Sequence, residues 1–486
     1  MAESFTKTDY KNFLECGCYL WLAKKKKGLL PPPSASELFR EQEGEKVDIL
    51  AKQLFKGGVE LKEFNEAGWH ATKKLIDAKT KVLFQPTIVT GDGLSCRADI
   101  LTYAAKEKAW EIREVKSSTS VRPEDVQDVA FQRICFEEAE IPISKTYLIH
   151  INNEYMKDGT IDPQSFFKTV DITEEVNEAL IETRKEIKIA RDHLTHEVWP
   201  HARIIESCTN PKSCAYLKHY MQGVEDHQAL AESLSAKYVI ELLKRDIILL
   251  ESLDAKYVNE LGYAPEEKYV DHEAIRGELQ QLVYPLYFLD YETYSSPIPK
   301  FDGTRPWQQI PFQYSLHIKR SKGAKLEHTE FIATADKNPI LDLATQLEKD
   351  IGKKGSIVVW NAAFEATRNR EVAKAYPDFT SLMESVNGRM FDLMVIFRKK
   401  LYKQHKFYRS YSIKNILPAL VPELSYKDLT IQEGGTASIS WPVLIDVKTA
   451  PAAKGELKKD MLLYCGLDTL AMVRILENLE NEVEEK

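Results

Sequence analysis

The chain has 486 residues, of which 43% are hydrophobic and 29% charged, and a formal net charge of −8. That length exceeds one ordinary core and predicts two or three domains, while the acidic balance excludes a general coating role on DNA and leaves local basic patches to be examined. No run of about 18 apolar residues occurs, residues 1–11 lack the apolar region of a signal peptide, and seven unevenly spaced cysteines make no secreted disulfide framework, so the sequence predicts a cytoplasmic chain without a membrane partner.

Residues 13–22 carry Cys16 and Cys18 among apolar and aromatic neighbours. Residues 37–55 are helix-patterned and present Glu45 and Asp48. Two strands over 81–89 and 94–103 flank Thr90-Gly91-Asp92-Gly93, where the Asp-Gly pair favours a tight turn; Asp99 is expected in the second of them. Residues 109–115 read as a further strand bearing Glu114, with Lys116 next. A helix over 126–138 places Gln132 four residues before Phe136, and 147–150 reads as the following strand. Asp99, Glu114 and Lys116 resemble the Asp…Glu-x-Lys pattern of the PD-(D/E)XK nucleases, and Gln132 the glutamine helix of their RecB-type branch. The resemblance implies carboxylates holding Mg²⁺ and a lysine that positions water and stabilises phosphate charge.

Cys208 and Cys214 lie in Cys208-Thr209-Asn210-Pro211-Lys212-Ser213-Cys214. One cysteine before the core and a group after it resembles the iron–sulfur exonucleases, which implies a 4Fe-4S cluster on Cys16, Cys208 and Cys214. The fourth cysteine of that pattern is missing near 220, where His219 and Tyr220 stand. Three readings stay open: Cys18 or His219 completes the cluster, zinc binds Cys16, Cys18, Cys208 and Cys214, or the thiols only pack. Cys96, Cys135 and Cys465 read as core cysteines. Residues 228–253 are helix-patterned and read as a connector.

The C-terminal half carries the sharper signal. An apolar run over 284–289 leads into Asp290-Tyr291-Glu292. Residues two apart on a strand share a face, so two carboxylates stand side by side, which is costly without a cation between them; oxygen-ligated divalent ions meet that need. A strand over 357–360 runs into Asn361-Ala362-Ala363-Phe364-Glu365. A helix over 461–476 carries Tyr464 and Asp468, four apart and on one face. Four carboxylates and a tyrosine that orients water suit two-metal phosphodiester hydrolysis. In this order they resemble the DnaQ-like exonucleases of the ribonuclease H fold, in the variant with a tyrosine; the histidine variant would need His where Leu463 stands. Glu365 occupies a position where most members have Asp.

Residues 393–422 contain no Asp or Glu but hold Arg398, Lys399, Lys400, Lys403, Lys406, Arg409 and Lys414, interleaved with Tyr402, Phe407, Tyr408 and Tyr411. That mixture suits single-stranded DNA or RNA; a solvated helix face followed by a packed loop is the plainer reading. The segments 284–290, 310–315, 412–418 and 468–473 resemble a bacterial family that joins the two nuclease types and has no assigned role. The expectation is therefore an α/β chain: a PD-(D/E)XK-like domain over 1–222, a helical connector over 223–280, and over 281–486 a DnaQ-like mixed sheet with flanking helices. Its implied activity is 3′-to-5′ exonuclease action with Mg²⁺ or Mn²⁺ on Asp290, Glu292, Glu365 and Asp468 and a second set on Asp99 and Glu114. Tyr464 would position water, and Asn361, Lys399, Lys403, Lys406, Arg409 and Lys414 would contact the strand. A nucleic-acid-binding scaffold with decayed sites is the alternative.

Overall fold

A computed structural model describes residues 4–30, 32–197, 268–407 and 410–484. It is mixed α/β, and its described residues form two compact units: one takes in those before 198 together with Ser296–Trp307, the other 268–295 and 308–484. Most of the expected connector, along with Cys208, Cys214, His219 and Arg409, lies outside the described residues.

In the first unit, a small sheet sets β5 (Leu94–Arg97) between β1 (Phe5–Thr6) and β4 (Thr87–Val89). The main sheet has the order β2 (Val59–Glu60), β3 (Val82–Phe84), β6 (Ile100–Ala104), β7 (Ala109–Lys116), β8 (Ile143–Ile151), β9 (Phe167–Asp171). The expected single hairpin is thus two: β4 pairs with β5 around the Asp-Gly turn, and β3 pairs with β6 in the other sheet. The chain breaks at Gln85, which sits at φ +55 ahead of Pro86, and across from it at Ala98 and Asp99. Asp99 therefore precedes β6 rather than lying within a strand. Its carbonyl accepts from Gln85 N (2.9 Å).

Helix α5 (Pro123–Glu138) crosses over from β7 to the parallel strand β8. Proline suits its first turn, where backbone N–H groups have no intrahelical partner. Helices α1 (Lys7–Glu15), α2 (Gly17–Lys25) and α6 (Thr173–Thr195) pack with α5 over a core containing Phe5, Tyr10, Phe131, Phe136 and Leu148. On the opposite side, α3 (Ala35–Lys52), opened by a Ser34–Glu37 capping box, buries Val47 and Ala51 against Phe84, Ile100 and Ile149. Helix α4 (Glu66–Asp77) packs on β4.

The second unit is built on the order β13 (Glu327–Ile332), β12 (Ile310–Lys319), β11 (Leu286–Tyr294), β14 (Ile357–Val359), β15 (Met390–Asp392). The first three pair antiparallel and the last three parallel. A separate ribbon pairs β10 (Tyr269–Val270) with β16 (Tyr402–Lys403). Helices are α7 (His272–Leu279), α8 (Ile340–Asp350), α9 (Ala362–Ala375), α10 (Ile413–Leu420), α11 (Gly434–Ile445) and the long α12 (Pro451–Glu484). Strand β12 is buried along its whole length, because α8 covers one face and α12 the other.

The α12 face of β12 is polar, and every second residue there finds a partner on the helix. Gln313 Nε2 donates to the Met461 carbonyl (2.9 Å), Ser315 Oγ and His317 Nδ1 meet Thr469 Oγ1 (2.7 and 2.8 Å), and Lys319 Nζ reaches Glu477 (3.1 Å). The partners on α12 recur every eight residues, close to two helical turns and then four. Burial, with His328 stacked at 4.2 Å, drives His317 down to about 3, so it enters this seam as a neutral imidazole. Thr469→Val, which keeps shape but removes the shared hydroxyl, is expected to cost about 1–3 kcal/mol in urea unfolding of this unit, with Thr469→Ser close to wild type.

Candidate metal centre

Register in the second unit brings the acidic residues together. Asp290 and Glu292 share the α12 face of β11, paired across the ladder with Ser315 and Gln313. From α12, Tyr464 and Asp468 face the same point; from the first turn of α9 comes Glu365. Glu292, Glu365, Tyr464 and Asp468 are all buried. They and Asp290 line one cleft of about 220 Å³ with Asn361, Phe364, Trp360 and Lys414. Asn361 caps α9 through its backbone only; its side chain makes no cap hydrogen bond and stands exposed at the mouth.

Crowding of like charge governs the electrostatics. Burial, then the Asp468 charge, holds Asp290 and Glu292 well above the usual carboxylate range. Burial also raises Asp468 to about 6, against the hydrogen bond from the Tyr426 hydroxyl (2.6 Å) and the charge of Lys414. Glu365 rises to about 8 through burial, with Asp392 adding to it. Its Oε2 is buried with no hydrogen-bond partner among the described residues. Tyr464 is pushed far above the ordinary phenol range by burial and by the acidic neighbours, so at neutral pH it is a neutral hydroxyl and no base. An orphaned carboxylate oxygen inside a hard-oxygen donor set fits divalent cations such as Mg²⁺ or Mn²⁺.

Three residues here escaped sequence reading. Tyr426 bonds Asp468. Gly434 opens α11 so close that a Cβ there would lie 3.7 Å from Glu292 Oε2 and 3.8 Å from the Tyr464 hydroxyl. Cys465, expected as an ordinary core cysteine, instead sits with Sγ 3.8 Å from Asp290 Oδ2, and Asp290, Glu292 and Cys465 offer ligand atoms within 4.8 Å of one another that could share an ion. Its position follows from being one residue after Tyr464 on a helix whose face looks onto β11.

The basic stretch divides. Lys414 Nζ donates to the Gln432 carbonyl (2.6 Å) and lies 5.2 Å from the Tyr464 ring, inside the cleft. Lys399 pairs with Glu278 on α7 (2.5 Å), Lys403 lies over the Tyr269 ring, and Lys406 is exposed. Tyr402 and Phe407 are buried against Phe397, so packing accounts for those two aromatics.

The first unit assembles a second polar centre. Glu114 and Lys116, two apart on β7, face α5, which supplies Gln132 and, one turn earlier, Asp128. Gln132 Nε2 donates to Glu114 (2.7 Å), and Lys116 Nζ bridges Glu114 (2.7 Å) and Asp128 (2.5 Å). A second lysine, Lys7 of α1, reaches the same two carboxylates at 3.1 and 3.3 Å. Asp99 Oδ2 accepts from Val115 N (2.8 Å), and Gln85 spans from Asp99 to Asp48 of α3 (3.4 and 3.3 Å). Asp48 belongs to this centre, whereas Glu45 is exposed.

Burial and Asp128 act to raise Glu114, but Lys116 and Lys7 outweigh them and leave it below the usual range; the two lysines likewise hold Asp128 down against burial. Burial, then Glu114, takes Asp99 to about 7. Glu114 and Asp128 are thus neutralised by two ammonium groups, and a metal would have to displace one of them. Asp128 was legible in principle, since it stands four residues before Gln132; Lys7 left no local signal. Cys16 is buried at the start of α2; the side chain of Cys18 lies outside the described residues with the other cysteines of the expected cluster.

Residues 287–412 match the family model described as a domain of unknown function (DUF2779). The match takes in Asp290, Glu292, Asn361 and Glu365 and stops short of Tyr464 and Asp468. No curated protein matches the chain.

Two outcomes follow. Glu365 and Asp468 hold protons when folded that they lose near pH 4 when unfolded. Between pH ~4 and ~8 the folded state therefore binds more protons, and stability falls as pH rises through that window. In EDTA the second unit's melting temperature should drop from pH 5 to pH 8, Glu365→Gln should flatten the drop, and Mn²⁺ should reverse most of it; a flat profile in EDTA would contradict the charge crowding. In the first unit, Lys7→Met leaves Glu114 and Asp128 sharing Lys116 alone and should cost about 2 kcal/mol in thermal or urea unfolding.

Proposed function

We propose that the chain is a metal-dependent nuclease hydrolysing phosphodiester bonds of single-stranded DNA or RNA, with its working centre in the second unit. The observation that carries this reading is the convergence of Asp290, Glu292, Glu365 and Asp468, from one strand and two helices, on one small open cleft beside a neutral tyrosine. The mixed five-stranded sheet with helices on both faces agrees with the DnaQ-like resemblance of the sequence, and from that resemblance comes the proposed 3′-to-5′ polarity.

Asp290, Glu292, Glu365 and Asp468 would hold two divalent cations, which supply charge neutralisation for the phosphoryl oxygens and an acidified water. Gly434 leaves room above Glu292 for a substrate phosphate to approach. The neutral Tyr464 hydroxyl, facing Asp468, orients a water by hydrogen bonding rather than by removing its proton. Lys414 places a positive charge at the cleft wall, where it offsets charge building on the phosphate. Phe364 and Trp360 give the mouth an aromatic wall against which a terminal base can stack, and Asn361 offers an amide to the same nucleotide.

The first unit supports a different role. With Glu114 and Asp128 already bound by Lys7 and Lys116, no hydrolytic step is assigned to a metal there. Its fold without a free acidic set favours a module that grasps the strand.

Degradation of 5′-labelled single-stranded DNA and RNA in Mg²⁺ or Mn²⁺ tests the reading. A ladder shortening from the 3′ end is expected, with Asp290→Asn losing about 10³-fold or more and Tyr464→Phe about 10²-fold. Loss in Lys116→Ala with Asp290→Asn still active would move the chemistry to the first unit. Strand binding without cleavage by wild type would favour the scaffold.

A further inference from the structure

The segment Ser296–Trp307 leaves β11 and returns to β12, yet it belongs to the first unit. It is built in firmly. Ser296 Oγ donates to Glu43 of α3 (2.6 Å), and both are buried. Ile298 packs against the cluster under α3. Lys157 N donates to the Thr304 carbonyl (3.0 Å), Gly303 N to the Lys157 carbonyl (2.9 Å), and Asp302 accepts from Gly159 N (3.1 Å) and pairs with Lys157. Pro297, Pro299 and Pro306 are buried as well, so the arm presents a fixed conformation.

At its end, Trp307 stands out on two counts. Its backbone adopts φ +59, a left-handed conformation that is an outlier for a bulky residue and persists only where the surroundings impose it. It is nevertheless 38% exposed, a large share for a tryptophan held in a strained conformation. Both of its polar groups are fixed, the backbone N–H on the Ser296 carbonyl (2.9 Å) and the indole N–H on the carbonyl of Ser117 (2.8 Å). Ser117 directly follows Lys116, so the indole is pinned at the end of β7 that carries Glu114 and Lys116. Lys300 and Arg305, both exposed, precede it on the same arm. A rigid aromatic ring, strained into place and more than a third exposed, on an arm that also carries exposed basic residues, has the chemistry of a base-stacking platform.

We infer that Trp307 is a nucleobase-stacking residue of the first unit, receiving one base of a single strand. The inference rests on the proposed nucleic-acid substrate and adds the first unit's contact to it. Neither Glu114 nor Lys116 need act chemically for this role; the ring orders the strand at that rim.

The test uses the full chain carrying Asp290→Asn, so that the second unit leaves the strand intact, and a short oligonucleotide with 5-iodouridine at each position in turn. Irradiation should give a cross-linked peptide containing Trp307 at one or two positions. Trp307→Ala should abolish that cross-link and weaken binding by fluorescence anisotropy about 10-fold, whereas Trp307→Phe should keep most of both. Melting curves of the variants check that the arm, held by Ser296, Thr304 and Asp302, stays folded. Binding and cross-linking unchanged in Trp307→Ala, or cross-links that avoid residues 296–307, would overturn the inference and leave the nuclease reading standing. A chain that binds no strand at all would overturn both.

Discussion

The seam between β12 and α12 sets everything else in the second unit. Strand β12 lies between two helices and carries Gln313, Ser315, His317 and Lys319 on the face toward α12, where each would be an unsatisfied buried group if the helix slid or turned. One turn of slippage would leave Ser315 and His317 without Thr469 and strand the Lys319 charge. The helix is thereby locked in translation and rotation, and Tyr464, Cys465 and Asp468 are delivered to the one place where Asp290 and Glu292 already stand. The cost of crowding four carboxylates is sustained because a polar seam, bonded at Gln313, Ser315, His317 and Lys319 a few residues away, holds the opposing elements in register.

The two units treat buried negative charge in opposite ways. In the first, Glu114 and Asp128 are cross-linked by Lys7 and Lys116, and Gln132 fills a remaining acceptor; the negative charge there already has its counterions, although Gln132 Oε1 and Asp48 Oδ1 find no partner among the described residues. In the second, Lys414 and two tyrosine hydroxyls only moderate the repulsion, and Glu365 keeps an oxygen with no partner among the described residues. Crowded carboxylates that lack bound ammonium counterions at a cleft are poised to take up cations from solution, and this asymmetry favours the second unit as the reacting one even though both units present an acidic motif.

What the sequence made readable was periodic. Asp290 and Glu292 at strand spacing, Tyr464 and Asp468 at helix spacing, and Glu114 with Lys116 all announce a shared face without knowledge of the fold. Residues whose contribution depends on distant partners stayed hidden: Lys7 lies 107 positions before Glu114, Tyr426 precedes Asp468 by 42, and Gly434 matters only through what approaches it. Asp99 was expected within a strand because alternation around it is good; Gln85 and Pro86 interrupt the pairing opposite, and a bend results. Cys465 was read from its apolar neighbours, although the helix turns its sulfur toward the acids. Of the basic stretch, composition alone could not separate Lys414, which enters the cleft, from Lys399 and Lys403, which are engaged with Glu278 and Tyr269.

The path of Ser296–Trp307 gives the chain an unusual connectivity. Between Ser295 and Ser296, and again between Trp307 and Gln308, the backbone passes from one compact unit to the other, so the halves are interlaced by sequence rather than strung on a single tether. A protease nick anywhere between 197 and 268 would divide the polypeptide without freeing the pieces, since Glu43, Lys157 and Ser117 of the N-terminal fragment would still grip Ser296–Trp307 of the other. Conversely, a gene fragment ending near 222 would encode a domain with an open seat for Ile298 and the three prolines, and the missing peptide could be supplied in trans as a fragment complement.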